Sequence, residues 1–291
     1  MPVAFAEGDS AKYDAARLIN GRLTSMKTDL TQAQIDQYRR DGFIHIPGFL
    51  NADEVAELRQ GVLEAVEQMG RHKLAGVEGD DAREDGDDYY DRVFTQRLNL
   101  WRINDTVKRY MVDPELGRML CQFEGIDGVR VWHDQALIKE PFGNPTAWHL
   151  DNPFWSFSSR HALSIWIALE PATLANGCMW FVPGSHKLAR FDNKGIDADM
   201  AGLFRIYPQM AEIDPLGVPM EPGDCSFHNG LTAHGAGANM TRSRRIAMTC
   251  AYMPEGATYN GRANILPEAY RQTLTEGEVL ENNQLNPKVY P

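Results

Sequence analysis

Two histidines and an aspartate, far apart in the chain, are the residues whose types can do chemistry together. His149-Leu150-Asp151 sets an imidazole and a carboxylate two positions apart. In a β-strand, residues two apart point to the same face, so both side chains can reach one ion. Further on, the stretch from Gly223 to Asn239 offers two more imidazoles, His228 and His234, six positions apart. Either would complete two nitrogens and one oxygen on one face of an octahedron. Three coordination positions then stay open, the arrangement that non-haem Fe(II) oxygenases use. Taken alone, His-x-Asp is a weak signal, because short motifs recur by chance and a single histidine is usually structural.

Arg245 stands eleven positions after His234 and opens the run Arg245-Ile-Ala-Met-Thr-Cys-Ala-Tyr252. Strand alternation groups Arg245 with Ala247 and Thr249, and Ile246 with Met248 and Cys250. A guanidinium above small side chains suits a small dicarboxylate. One end of such a molecule chelates the metal and the far carboxylate meets the arginine fork. Arg242 and Arg244 are close neighbours, so a slip in register would reassign that role.

These side chains need a scaffold. The chain has 291 residues, 43% of them hydrophobic and 24% charged. That is ordinary for a globular protein with a large core and excludes collagen-like and wholly disordered chains. The formal net charge of −11 argues against nucleic acid and anionic membranes as partners. Four scattered cysteines, no secretory signal and no apolar span point to a cytoplasmic protein with reduced thiols. Residues 1–28 read as an arm. Thr31-Gln-Ala-Gln34 is a capping box opening a helix to about Arg40, and Phe43–Ile46 alternates like a strand. Asn51 caps a second helix with the stripe Val55, Leu58, Val62, Val66 and Met69, ending at Gly70. Residues 76–91 carry eight acidic side chains and one arginine. The run reads as a solvated loop, with a lid bearing Tyr89 and Tyr90, or a Ca²⁺ site, as lesser readings. Residues 98–123 read as one helix.

From about 129 the pattern changes to short apolar runs punctuated by Gly, Pro and Asn: 129–132, 136–139, 146–149, 162–169, 179–182, 225–228 and 245–252. Such runs suggest a sandwich or barrel. The expectation is one domain, mainly β with flanking helices. It comprises a helical flank over 29–123, a β-barrel core over 129–253, and a polar wrap over 254–291.

At this point the sequence resembles the phytanoyl-CoA dioxygenase-like (PhyH) branch of the Fe(II)/2-oxoglutarate-dependent oxygenases. Arg40-Asp-Gly-Phe-Ile-His-Ile-Pro-Gly-Phe-Leu50 is similar to its opening signature, and Trp148-His-Leu-Asp151 to its metal motif. Asn176-Gly-Cys-Met-Trp-Phe-Val-Pro-Gly-Ser-His186-Lys is similar to its central strand and turn. Gly223 to Asn239, then Arg245, is similar to its distal-histidine and arginine block. The resemblance spans about 31–253, with four blocks in order, and implies a double-stranded β-helix of the jelly-roll or cupin-like kind. It implies Fe(II) ligation by His149, Asp151 and His234, with 2-oxoglutarate anchored by Arg245 and O₂ as oxidant. His234 fits better than His228, because it precedes the Gly-x-Gly-x-Asn turn at the family's distance from Arg245. Trp166, Gln135 and Lys139 match co-substrate positions. Ala236 departs from the pattern, where members often carry a serine.

The resemblance further implies oxidation of a small or medium organic substrate, with release of succinate and CO₂. Asp151 fills the position that related halogenases leave to chloride, which favours hydroxylation. Desaturation, cyclisation and epimerisation depend on substrate placement and stay open, as does the oligomeric state. Asn152, Phe154, Trp155 and His228 are pocket candidates. His133 and His161 read as structural or pocket-edge. An acyl-CoA substrate is the alternative, weakened by the acidity of the chain and the lack of a dense basic cluster. A catalytically silent metabolite-binding barrel and a metal-dependent hydrolase or isomerase are the readings from other classes, and Arg245 argues against the hydrolase.

Overall fold

A computed structural model describes residues 25–77, 79–86 and 88–291. Most of the expected N-terminal arm therefore lies outside the described residues. Helix α1 (Gln32–Asp41) begins with the predicted box: Gln34 N donates to Thr31 Oγ1 and Thr31 N to Gln34 Oε1. It ends at Gly42 (φ 81°), where a Cβ would collide with the His186 ring and Thr232 Oγ1. Strand β1 (Phe43–Ile46) follows, and then α2 (Ala52–Met69), capped reciprocally by Asn51 and Glu54. Its buried stripe is Val55, Leu58, Val62, Ala65 and Met69.

The expected helix over 98–123 is broken. Strand β2 (Thr95–Leu98), a turn at Leu100–Arg102, α3 (Asp105–Met111) and α4 (Pro114–Glu124) occupy this region. Asp113 accepts from Glu115 N and Leu116 N, and Pro114 starts the new helix. Asn104 caps α3 by accepting from Val107 N. A proline at the first helical position needs no amide partner, so Asp-Pro restarts a helix instead of continuing one.

The core is a jelly roll of two antiparallel sheets. Strands β3 (Val129–Lys139), β4 (Thr146–His149), β5 (Leu163–Ala168), β6 (Met179–Phe181), β7 (Leu216–Val218), β8 (Cys225–Asn229), β9 (His234–Ala236), β10 (Arg245–Pro254) and β11 (Lys288–Tyr290) complete it. The larger sheet runs β1-β8-β5-β10-β3-β11, with β2 also on β3, and the smaller runs β4-β9-β6-β7. The two runs expected at 129–132 and 136–139 form a single strand. His133 and Asp134, the polar break in the sequence, lie within it, opposite a register shift at Ala251/Tyr252.

Alternation then decides everything inside. Ile246, Met248, Cys250 and Tyr252 of β10, with Ile165 and Ile167 of β5 and Phe227 of β8, pack against the helices. Their neighbours Arg245, Ala247, Thr249 and Ala251 face the other way, between the sheets. The tail is less irregular than expected, because β11 pairs with β3 and Asn286 donates to the Val131 and Trp132 carbonyls. Among the described residues, no helix is long and apolar enough to cross a membrane.

Candidate active site

The two histidines are aimed by their own strands. β4 pairs with β9 so that His149 stands opposite His234. His149 Nδ1 donates to the Ala147 carbonyl at 2.8 Å, and His234 Nδ1 to the Thr232 carbonyl at 2.9 Å. Each bond fixes the tautomer and leaves the Nε2 lone pair free. Those nitrogens stand 3.5 and 3.6 Å from Asp151 Oδ1. One ligand atom from each of the three residues lies within 4.8 Å of the others, close enough to hold one metal ion. The second carboxylate oxygen is held from behind: Asp151 Oδ2 lies 3.2 Å from His228 Nε2 and 3.3 Å from Ser164 Oγ. His228 therefore supports the carboxylate and does not join the trio.

Charge suits a divalent cation. Burial would raise the Asp151 carboxyl, but the imidazoles of His234, His149 and His228 outweigh it and hold the group well below the usual carboxylate range. Burial, reinforced by His149, brings His234 down to about 3, so its imidazole is neutral at pH 7. A carboxylate and two imidazoles with free lone pairs are the donor set that Fe(II) takes.

At the far end of β10, Arg245 is 1% exposed and opposite Lys139 in register. Its Cζ lies 5.2 Å from the Trp166 ring and 5.6 Å from the Phe94 ring, both of which line the cavity. Its Nε and Nη1 are buried without a hydrogen-bond partner. Burial brings its pKa to about 10, still cationic at pH 7. A buried guanidinium with free donors calls for an anion. Arg242 and Arg244 are exposed and do not compete for this position.

The other candidates divide. Gln135, Trp166, Phe154, Trp155 and His228 line a cavity of about 510 Å³ together with the trio. Gln135 Oε1 accepts from Gln96 Nε2 at 2.5 Å. Lys139, like Arg245, lies behind the cavity wall: burial and the neighbouring Arg245 lower it to about 6, and its Nζ donates to the carbonyls of Asn144 and Gly237, tying two loops beside Arg245. Asn152 is displaced from the wall as well, because its amide braces its own turn through Phe157 O and Ser159 N. His161 pairs with Glu124 and lies away from the trio. Ala236 lines the cavity with no hydroxyl to offer.

Tyr90, named in the lesser lid reading of the acidic run, lines the cavity, whereas Phe94 just after that run and Asn264 and Ile265 of the tail are walls with no sequence signal. The acidic run is not simply solvated. Asp85 pairs with Arg97 at 2.6 Å, Asp91 with Lys73, and Tyr89 donates to Pro145 O. Arg83 Nη2 joins the run to the tail through Asn264 O at 2.5 Å.

Comparison with known proteins agrees with this geometry. The phytanoyl-CoA dioxygenase (PhyH) family profile matches residues 38–247. A methylphosphonate hydroxylase of Gimesia maris is 27% identical, covering 78% of this chain and 82% of its own. The carbocyclase SnoK of nogalamycin biosynthesis, described as non-heme and alpha-ketoglutarate-dependent, superposes with a TM-score of 0.72 at 29% identity, over 91% of this chain and 99% of its own. The epimerase SnoN, solved with Fe³⁺, alpha-ketoglutarate and nogalamycin RO, gives a TM-score of 0.67 at 28% identity, over 89% and 98%. The chain belongs to the phytanoyl-CoA dioxygenase family and is a non-haem iron, 2-oxoglutarate-dependent oxygenase that uses O₂.

Proposed function

We propose that His149, Asp151 and His234 hold the Fe(II), that Arg245 anchors the far carboxylate of 2-oxoglutarate, and that the enzyme hydroxylates a small or medium organic molecule. The single observation that carries this reading is the pair of strand-fixed imidazoles closing on one Asp151 oxygen, on the same inter-sheet cavity that Arg245 flanks. With iron, 2-oxoglutarate and O₂ bound, the centre supplies oxidative decarboxylation to succinate and CO₂ and attack on an unactivated C–H bond. The protein's own part is placement. Asp151 is kept ionised and oriented by His228 and Ser164. Trp166 and Gln135 wall the co-substrate end, and Lys139 fixes the loops around Arg245 instead of touching the co-substrate. The packed rings of Phe94 and Trp166 keep water from the arginine and strengthen its hold on a carboxylate.

Phe154 and Trp155 wall the substrate region, which favours an apolar or ring-bearing molecule over an acyl-CoA. Similarity to a carbocyclase and an epimerase favours ring closure or epimerisation as the second reading of the same centre. The acidic chain and its four buried free thiols support a reducing, cytoplasmic setting with neither nucleic acid nor membrane as partner. The test is anaerobic addition of Fe(II) and 2-oxoglutarate, followed by visible spectroscopy. We expect a weak metal-to-ligand charge-transfer band in the wild type and none in His149→Ala. No band in the wild type, or an undiminished band in the variant, overturns the site.

A further inference from the structure

β3 carries an inward row of residues two apart, Lys139, Leu137, Gln135 and His133. Lys139 is level with Arg245, and His133 lies six residues on, about 20 Å away along the strand at 3.3 Å per residue. The row thus starts at the co-substrate anchor and ends beyond the co-substrate's reach. His133 lines the cavity opposite Ala251, and Asp151 is close enough to act on it electrostatically. It is 5% exposed, and its Nδ1 is buried without a hydrogen-bond partner. Its ring meets Trp155 edge to face at 6.1 Å. Burying a polar ring this deeply is costly unless something pairs with it. No residue of the oxygenase machinery uses it.

We propose that His133 orients the substrate, through a hydrogen bond to a hydroxyl or carbonyl oxygen on a neutral, ring-bearing molecule packed against Trp155 and Phe154. This rests on the reading of the centre given above and names the substrate class for it. Burial holds the imidazole at a pKa of about 4, so at pH 7 it is uncharged and offers one donor and one acceptor. A neutral imidazole among aromatic and aliphatic walls selects an uncharged oxygen over a phosphate or carboxylate. Of the two cations on the cavity wall, Lys73 is paired with Asp91 and the exposed Arg83 donates one N–H to the Asn264 carbonyl.

The test is calorimetric binding of 2-naphthol, naphthalene and benzoyl-CoA to the anaerobic Fe(II)/2-oxoglutarate-loaded enzyme. We expect 2-naphthol to bind most tightly. His133→Phe should weaken it by about tenfold, the worth of one buried hydrogen bond, and leave naphthalene unchanged. His133→Gln, which keeps a donor and an acceptor, should recover most of the preference. The inference is overturned if naphthalene or benzoyl-CoA binds as tightly as 2-naphthol to the wild type. It is equally overturned if His133→Phe keeps the preference, or if His133→Gln loses it as fully as His133→Phe. The charge-transfer band reports separately on the iron centre and should be the same in all three proteins. Loss of preference with an intact band isolates His133, whereas a missing wild-type band refutes the underlying centre instead.

Discussion

Replacing Arg245 with methionine separates the anchor's binding role from its burden on the fold. Methionine keeps an unbranched stem that reaches about as far as Nε, while removing the charge. In the wild type the guanidinium lies 1% exposed, with two of its nitrogens unpartnered. Losing one member of a buried, hydrogen-bonded charge pair costs about 2–5 kcal/mol. At about 1.4 kcal/mol per decade, 2-oxoglutarate affinity should fall by about 30-fold to about 4,000-fold. Without co-substrate the sign reverses, because an uncompensated buried charge destabilises the fold. The variant should therefore unfold at a temperature equal to or a few degrees above the wild type, at roughly 2–4 °C per kcal/mol. At one 2-oxoglutarate concentration, mass action should raise the wild-type midpoint more than the variant's. Titration of the charge-transfer band and thermal unfolding followed by circular dichroism read the two quantities. An affinity within threefold of the wild type, or a midpoint several degrees lower without ligand, would refute the reasoning.

Two further expectations concern groups that never touch the co-substrate. His228→Ala removes the 3.2 Å contact that steadies Asp151 Oδ2, and iron affinity measured by chelator competition should fall by about 10- to 100-fold with the fold intact; unchanged affinity would show that Ser164 alone suffices. Asp134 accepts from Leu100 N and Trp101 N, and burial raises it to about 7. Its folded pKa lies above its unfolded value, so the stability it contributes is present below about pH 4 and is lost as pH rises through about 7. The wild-type melting temperature should fall from pH 5 to pH 8 relative to Asp134→Asn, and parallel profiles would remove that assignment.

What the sequence displayed and what it hid follow from range of interaction. His149 and Arg245 were legible because strand alternation is local, whereas Asp151, expected on the same strand face, lies just past the end of β4 and reaches the site from the turn that follows. The capping box at Thr31 and the cap at Asn51 were legible because they too depend on near neighbours in the chain. The break at Asp113-Pro114 was written in the sequence, but apolar spacing on both sides made one helix of two. The continuity of β3 through His133 and Asp134 was hidden because Asp134 is satisfied by amides at 100 and 101, a partnership no local pattern reports. Lys139 carried the right charge for a co-substrate contact, and only the fold supplies the carbonyls of Asn144 and Gly237 that occupy it. The walls from Tyr90, Phe94, Asn264 and Ile265 depend on ties between distant segments, such as Arg83 to Asn264.

The carbonyls of Ala147 and Thr232 each steer the ring two residues ahead of them. Orientation is thus encoded in two tripeptides, Ala147-Trp-His149 and Thr232-Ala-His234, plus the pairing that sets them side by side. Anyone grafting this centre onto another antiparallel sandwich would need those six residues in matched register, together with the acidic residue in the turn after the first strand and the two side chains that hold its outer oxygen.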